Sequence, residues 1–285
     1  MSYVDLSYRF FGNIGRATKP YFADVKDDLQ KAGMSYTLEE YLSVAFFTVA
    51  LTFVLETVLL SFAFGLLVEP MLAVLLSLIL SMGISGFLFF IFYSYPLATS
   101  KSRENKIKKV LPFASSYLTT LSSSKAPPIT MFKTLSRFKE YGEIAKESQD
   151  IVNSVELFGL SISDAISKQA KISPSKDLRD LLWGINSIIN SGGDITSFLH
   201  SKSEEFMAEY RRKIRKFSQD LSLYVEIYLT LIITGSIFFI VLSSIIATFS
   251  AGLETVVIQT FVVFLLLPAL SIIFIIMVKS ISPLE

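Results

Sequence analysis

The stretch INSIINSGGDITSFL, residues 185–199, decides whether the middle of this chain is built from strands or from helices. A double glycine followed by an acid occurs in phosphate-binding loops and in strand hairpins of nucleotide cyclases. A phosphate loop needs Gly-Lys-Ser/Thr after the glycines, and the sequence contains no Gly-Lys pair. A cyclase-type hairpin needs a second acid and an aromatic where Ile195 and Thr196 stand, with strands on either side. Upstream, Leu178, Leu181, Leu182, Ile185 and Ile188 recur at three and four, one face of a helix. Gly192-Gly193-Asp194 is therefore a turn between helices, with Gly193 closing one and Asp194 capping the next.

Two other places repeat this grammar. In ELFGLSISDAI, Gly159 suits the left-handed position after a helix, and Ser161 with Asp164 has capping-box spacing. In SSSKAPPITMFKTL, Pro127 and Pro128 end one helix and start another. A fourth start, KISPSKDL, places Ser173 as N-cap and Pro174 at N1. Ile107, Leu111, Ala114, Leu118 and Leu121 form a further helical face, with Pro112 as a kink or first turn. No period-two run bounded by turn residues occurs, so the predicted fold is all-α.

Around this helical middle the chain is too apolar to be soluble throughout. Of 285 residues 52% are hydrophobic, and the mean hydropathy is +0.54. Four apolar segments, residues 41–68, 71–95, 221–249 and 255–278, each exceed the roughly 20 residues a helix needs to cross a bilayer. The links GLLVEP and FSAGLE are short, so each pair is predicted to be a hairpin.

Charge orients them. Of 26 basic residues, five precede Tyr41, twenty lie between Ser100 and Asp220, and the last is Lys279; neither link has any. The positive-inside rule places the N-terminus, the middle segment and the C-terminus in the cytoplasm. The expected organisation is a cytoplasmic segment 1–40, a transmembrane hairpin 41–95, a cytoplasmic helical domain 96–220, a second hairpin 221–278 and a tail 279–285, in a multi-pass protein of the cell membrane. Residues 99–220 hold 20 basic and 14 acidic side chains, a net of +6.

The residue inventory narrows chemistry. With no Cys and one His, thiolate and histidine-cluster metal sites are excluded, and no convergent set of acids or nucleophile marks an enzyme; no cofactor is expected. Glu56 lies mid-span, where a charge costs at least about 2.5 kcal/mol, and is read as a contact for a partner's membrane helix, a proton-sensitive latch or an interhelical polar bond. Glu226 sits near the cytoplasmic end of the third segment. Arg211, Arg212, Lys213, Arg215 and Lys216 precede that segment and either fix topology or bind anionic headgroups or a partner. Without aromatic stacking or a reading motif, they do not indicate nucleic acid. Glu140, Glu143, Glu147 and Asp150 form an acidic stripe that is either a solvated face or a partner surface. Thr37 and Glu40 form a capping box at the first span, with Tyr36 and Tyr41 placed for a staple. Ser81, Gly83, Ser85 and Gly86 allow close helix packing. Residues 1–31 are amphipathic and lie either on the membrane or on the domain.

The order and spacing of the turns, Lys109–Ser123 with Leu111-Pro112, then Gly159–Ala165, then Gly193–Leu199, resembles the F domain of inner-membrane platform proteins of type II secretion, type IV pilus, tight-adherence and archaellum systems. Ala126-Pro127-Pro128 departs from the glycine turn common at the family's first junction, and many members carry two F domains where this sequence shows one. The two-hairpin plan is closer to archaeal members. The resemblance implies a non-enzymatic platform that docks a hexameric secretion ATPase, moves pilin-like subunits out of the bilayer, and self-associates as a homodimer or with a second F-domain module. On that basis the exposed tips Lys125, Lys168, Lys171, Lys176 and Asp194 are candidates for ATPase docking. The alternative is a small-solute transporter or channel component with Glu56 in its pathway; Gln259 and Pro268 in the fourth span lean that way.

Overall fold

The computed structural model describes residues 3–249 and 253–281 and is helical throughout, with no strand among the described residues. The chain divides into two compact units, Met1–His200 and Ser201–Glu285. Among the described residues, four helical stretches are long and apolar enough to cross a membrane, within Leu38–Gly65, Pro70–Ser123, Ile195–Ile246 and Val257–Lys279.

The first unit opens with α1 (Tyr3–Thr18), a short 3-10 turn, and α2 (Ala23–Lys31). α3 (Leu38–Gly65) starts at the expected capping box: the Thr37 hydroxyl accepts from the Glu40 N–H and the Glu40 carboxylate accepts from the Thr37 N–H. α4 (Pro70–Ser123) pairs antiparallel with α3, the Ser61 and Ser77 hydroxyls meeting at 2.7 Å near the link. Ala73, Ser77, Ser81 and Ser85, one per turn, are buried in this pairing, whereas Gly83 and Gly86 open onto empty space. The small residues that permit close approach are thus the serines. Glu56 on α3 is half-buried, and its Oε2 is enclosed without a hydrogen-bond partner.

α4 continues unbroken for 54 residues through Pro96 and Pro112, passing the expected boundary at residue 95 without a loop. A proline inside a helix cannot donate to the carbonyl four residues earlier. At Pro96 that carbonyl belongs to Phe92, and the Tyr41 hydroxyl of α3 donates to it at 2.7 Å. Tyr41 also packs with Val25, Leu29, Leu38 and Leu42, so it joins α2, α3 and α4 rather than stapling to the exposed Tyr36. Pro112 stands inside the α4 helix itself rather than at its first turn.

Around Pro112 the helical face expected from the sequence is buried, apart from the half-buried Leu121: Ile107, Leu111, Ala114 and Leu118 lie against α5 (Pro128–Ser136), α6 (Glu143–Glu156) and α8 (Lys176–Ser191), with α7 (Ile162–Ile172) packed on α6 and α8. Leu181, Leu182 and Ile185 of α8 and Ile166 of α7 complete the core. Each such side chain contributes about 1.5–3 kcal/mol of burial.

The acidic stripe is neither a solvated face nor a partner surface at its centre. Glu143 and Glu147 turn inward to Arg103 of α4, whose Nε donates to Glu143 at 2.7 Å and whose Nη2 stands 3.5 Å from Glu147. Arg103 Nη1 also donates to the Lys31 carbonyl at the end of α2, at 2.6 Å. A side chain at Gly33 (φ +71°) would begin 2.7 Å from that Nη1, so glycine is required beside the guanidinium. Glu140 and Asp150 stay exposed.

The two inward carboxyls differ. Burial raises Glu143, but hydrogen bonds from Lys146 and Arg103 outweigh it, and the group is held below the ordinary carboxylate range. Burial dominates at Glu147, 2% exposed; Ser173, Gln169 and Arg103 offset it only in part, and the group is pushed up. Neither Glu147 oxygen has a hydrogen bond of good geometry.

α9 (Ile195–Ile227) begins in the first unit and lies mostly in the second, where it runs into a π-helical segment, Tyr228–Thr234, and then α10 (Gly235–Phe249). α11 (Leu253–Phe261), a second π segment and α12 (Leu267–Ile281) return alongside. Tyr228 stacks on Phe274 at 4.5 Å and its hydroxyl meets Ser271, while the Gln259 amide donates to Ser243 and Ser244 of α10. Gln259 is thereby used in helix pairing. The π segment Val262–Leu266 sits just before Pro268, where the missing N–H and the ring's clash with the preceding turn favour a widened coil. Ser250, Ala251 and Gly252 of the second expected link lie outside the described residues, as do 282–285 of the tail.

Two outcomes test this account in the detergent-solubilised chain. Tyr41→Phe keeps the ring but strands the Phe92 carbonyl, and is expected to cost about 1–2 kcal/mol; Pro96→Ala, which restores a backbone N–H, recovers most of that loss in the double variant, read by thermal melting. For Glu147, whose folded-state value is raised, the favourable contribution is present below the unfolded carboxylate value and disappears as pH rises through the folded one. Glu147→Gln is therefore expected to melt higher than the parent at pH 8, by about 1 kcal/mol, with the gap closing as the pH falls to 4.

Candidate docking surface

The turns singled out in the sequence gather at one end of the bundle. The Thr196 hydroxyl donates to the Ser122 carbonyl at 3.2 Å, joining the turn before α9 to the end of α4. The Ser163 hydroxyl lies between the Asn186 and Asn190 side chains at 2.6 and 3.0 Å, joining the start of α7 to the end of α8. Lys133 of α5 pairs with Glu156 at 2.6 Å beside the α6–α7 turn. The three turns 124–127, 157–161 and 192–194 thus share a surface.

Each turn is made by a residue in the left-handed region. At the third it is Gly192 (φ 70°), not Gly193. Two adjacent glycines are equally free to take that conformation, and the Gly192 N–H closes on Ile188 O while the Gly193 N–H bonds the same carbonyl. Asp194 caps α9 as expected, accepting from the Thr196 N–H at 2.9 Å, and with the Ser197 hydroxyl this holds its carboxyl below the ordinary range. At the second, Gly159 (φ 67°) precedes the Ser161 cap; the Asp164 carboxylate accepts from the Ser161 hydroxyl instead of the backbone, so the box is one-sided. At the first, Lys125 itself takes φ 58°, and Pro128 begins α5 at N1. A lysine here reproduces the geometry of a glycine turn at a cost in strain. α8 starts two residues later than expected: Ser175 is its N-cap, whereas Ser173 ends α7 and Pro174 lies between them.

The candidate residues do not form one cluster. Lys125 and Asp194 are exposed on the shared end, and Lys168 of α7 reaches toward it, its ammonium 5.8 Å over the Phe158 ring. Lys171 and Lys176 flank the α7–α8 link at the opposite end, near Glu147. Glu226 and the run Arg211, Arg212, Lys213, Arg215 and Lys216 are exposed along α9, with Lys213 paired to Glu209 at 2.6 Å. Sequence reasoning missed Leu157 and Phe158, 73% and 71% exposed at the α6–α7 turn. The signal was present: apolar residues flank Gly159 where a solvated turn would be polar. No group of three or more metal-ligating side chains occurs among the described residues.

Residues 114–243, from the core half of α4 through α10, match the family model of type II secretion system protein F. Through this stretch, a little under half of its length, the chain is similar to that family. An uncharacterised protein of Methanocaldococcus jannaschii is 24% identical over 161 residues, 56% of this chain and 27% of the relative. Flagella accessory protein J of the same organism is 28% identical over 150 residues, 52% of this chain and 26% of the relative. The chain spans about a quarter of the length of these curated relatives. No solved structure matches it. F-family members are non-catalytic platform proteins of the inner membrane. Arg103, Tyr41 and helices α1 to α3 lie outside the matched stretch.

Lys125→Gly relieves the left-handed strain and is expected to raise the stability of the F domain by about 1 kcal/mol, seen as a higher melting temperature of the full chain with an unchanged helical circular-dichroism signal.

Proposed function

We propose that the chain is a membrane platform of an archaellum, type IV pilus-like or type II secretion assembly machine, and that its F domain docks on a hexameric secretion ATPase. The match of residues 114–243 to the protein F family, over a helical bundle flanked by helices able to cross a membrane, carries this proposal. The likeness to an archaellum accessory protein favours the archaeal side of the family. In this reading both termini and the bundle face the cytoplasm, as the basic residues require, and α3–α4 and the second pair form membrane hairpins. Nucleotide chemistry belongs to the partner, and the platform converts its movements into displacement of pilin-like subunits.

The docking end is the one that joins the three turns. Leu157 and Phe158 supply apolar anchors, rimmed by Lys125, Lys168 and Asp194. Exposed aromatics of this kind dominate binding energy where a partner buries them. Lys171 and Lys176, at the other end, are left out of the contact.

The check is capture of the secretion ATPase of the same organism by the full chain in nanodiscs. Wild type binds, Phe158→Ala weakens binding by about tenfold or more, and Lys176→Glu binds as wild type. Absence of capture by the wild-type chain, or an unaltered affinity for Phe158→Ala, contradicts the proposed docking.

A further inference from the structure

Helix α1 shows three faces. Ser7, Phe11, Gly12 and Gly15 turn toward α3 or its own neighbours, and the contact is close: a side chain at Gly15 would begin 2.8 Å from the Ser43 hydroxyl and 2.9 Å from the Glu39 carbonyl oxygen. Asp5, Arg9, Asn13 and Arg16 form an exposed polar face. Tyr3, Leu6, Phe10, Ile14 and Ala17, spaced three, four, four and three apart, form an apolar face that no described residue covers fully; Phe10 is 67% exposed.

The position of that face on α3 identifies what covers it. Tyr3, Phe10 and Phe11 all reach the ring of Phe47, at 5.6, 6.2 and 6.0 Å, and the Tyr3 hydroxyl meets the Thr48 hydroxyl at 2.8 Å. Tyr3 and Phe10, seven residues apart on α1, thus meet one side chain of α3 where the two helices cross. Gly15 at the other end meets Glu39 and Ser43. The crossing therefore covers the first turns of α3, from the charged Glu39 to Thr48, beyond which the exposed apolar residues of the span begin with Leu51, Val54 and Leu55. The uncovered face of α1 continues that apolar surface. At its charged end Lys19 and Arg16 lie beside Glu39, at 2.9 and 3.8 Å. Tyr21, in the 3-10 turn that follows, is 85% exposed.

We propose that α1 lies in the membrane interface, its face of Tyr3, Leu6, Phe10, Ile14 and Ala17 bedded in lipid and its face of Arg9, Asn13 and Arg16 turned to the headgroups and water. An amphipathic helix with cations on the polar side and aromatics on the other is the form that interfacial helices take, and aromatic rings partition at the start of a span. The segment before the first span is thus a lipid-contacting brace rather than a free cytoplasmic arm. This rests on the reading of α3 as a membrane span.

The chain has no cysteine, so single sites can be labelled without background. The full chain is reconstituted into liposomes as Phe10→Cys, Ile14→Cys, Asn13→Cys or Leu59→Cys, each carrying an environment-sensitive fluorophore, and probed with a lipid bearing a nitroxide near the headgroup end of its acyl chain and with aqueous iodide. Expected are blue-shifted emission and quenching by the lipid nitroxide at Phe10→Cys and Ile14→Cys, with iodide quenching at Asn13→Cys. Iodide quenching at Phe10→Cys and Ile14→Cys while Leu59→Cys remains shielded in the bilayer overturns the proposal and spares the span. Aqueous exposure of Leu59→Cys as well overturns both. Protection of Phe10→Cys and Ile14→Cys from both quenchers means that protein covers the face, and also overturns it.

Discussion

The carbonyl of Phe92 has no backbone partner because Pro96 follows four residues later, and the Tyr41 hydroxyl supplies the missing bond. An unpaired buried carbonyl costs about 1–3 kcal/mol, and in an apolar setting it is where a helix would give way. With the bond in place α4 stays helical from Pro70 to Ser123. One element then serves two purposes. Its first half pairs with α3 through Ala73, Ser77, Ser81 and Ser85, and its second half supplies Ile107, Leu111, Ala114 and Leu118 to the bundle core.

Arg103 stands where those two halves meet. Its fork reaches a backbone carbonyl of α2 and two carboxylates of α6, so the N-terminal helices, α4 and the bundle are joined through one guanidinium. Such a node gains directionality from charge-assisted bonds, but it does not satisfy everything it buries. Glu147 remains without a good hydrogen bond, a desolvation cost that the surrounding packing of α6 and α7 carries. Gly33, at φ +71°, lets the chain turn at the end of α2 while passing close to the guanidinium.

Much of this was legible in the sequence, for identifiable reasons. The helical face of Leu178, Leu181, Leu182 and Ile185 is written in local periodicity, as is the Thr37–Glu40 box, and both appear as expected. The four apolar helices among the described residues follow from length and composition. What the sequence blurred was choice among equivalent residues: Gly192 over Gly193, Ser175 over Ser173, where neighbouring positions offer the same chemistry and tertiary packing selects one. It also concealed long-range pairing. Tyr41 and Phe92 are 51 residues apart, and Arg103 and Glu143 are 40 apart, so no local pattern announces either contact. The acidic stripe misled because its spacing describes one helix face but not what that face meets. At the end of the bundle where the three turns meet, the turn positions of Lys125 and Asp194 could be read from local chemistry, whereas the exposed Leu157 and Phe158 were overlooked because apolar residues are usually sought in cores.

The continuity of α4 has a mechanical corollary. At about 1.5 Å per residue a helix of this length is a strut of roughly 80 Å, and α-helices bend sharply only at particular defects. Pro96 is braced by Tyr41, which donates to the carbonyl that this proline deprives of its helical bond. Thrust or torque applied at the Ser123 tip is therefore conveyed along a single stiff member toward its Pro70 end.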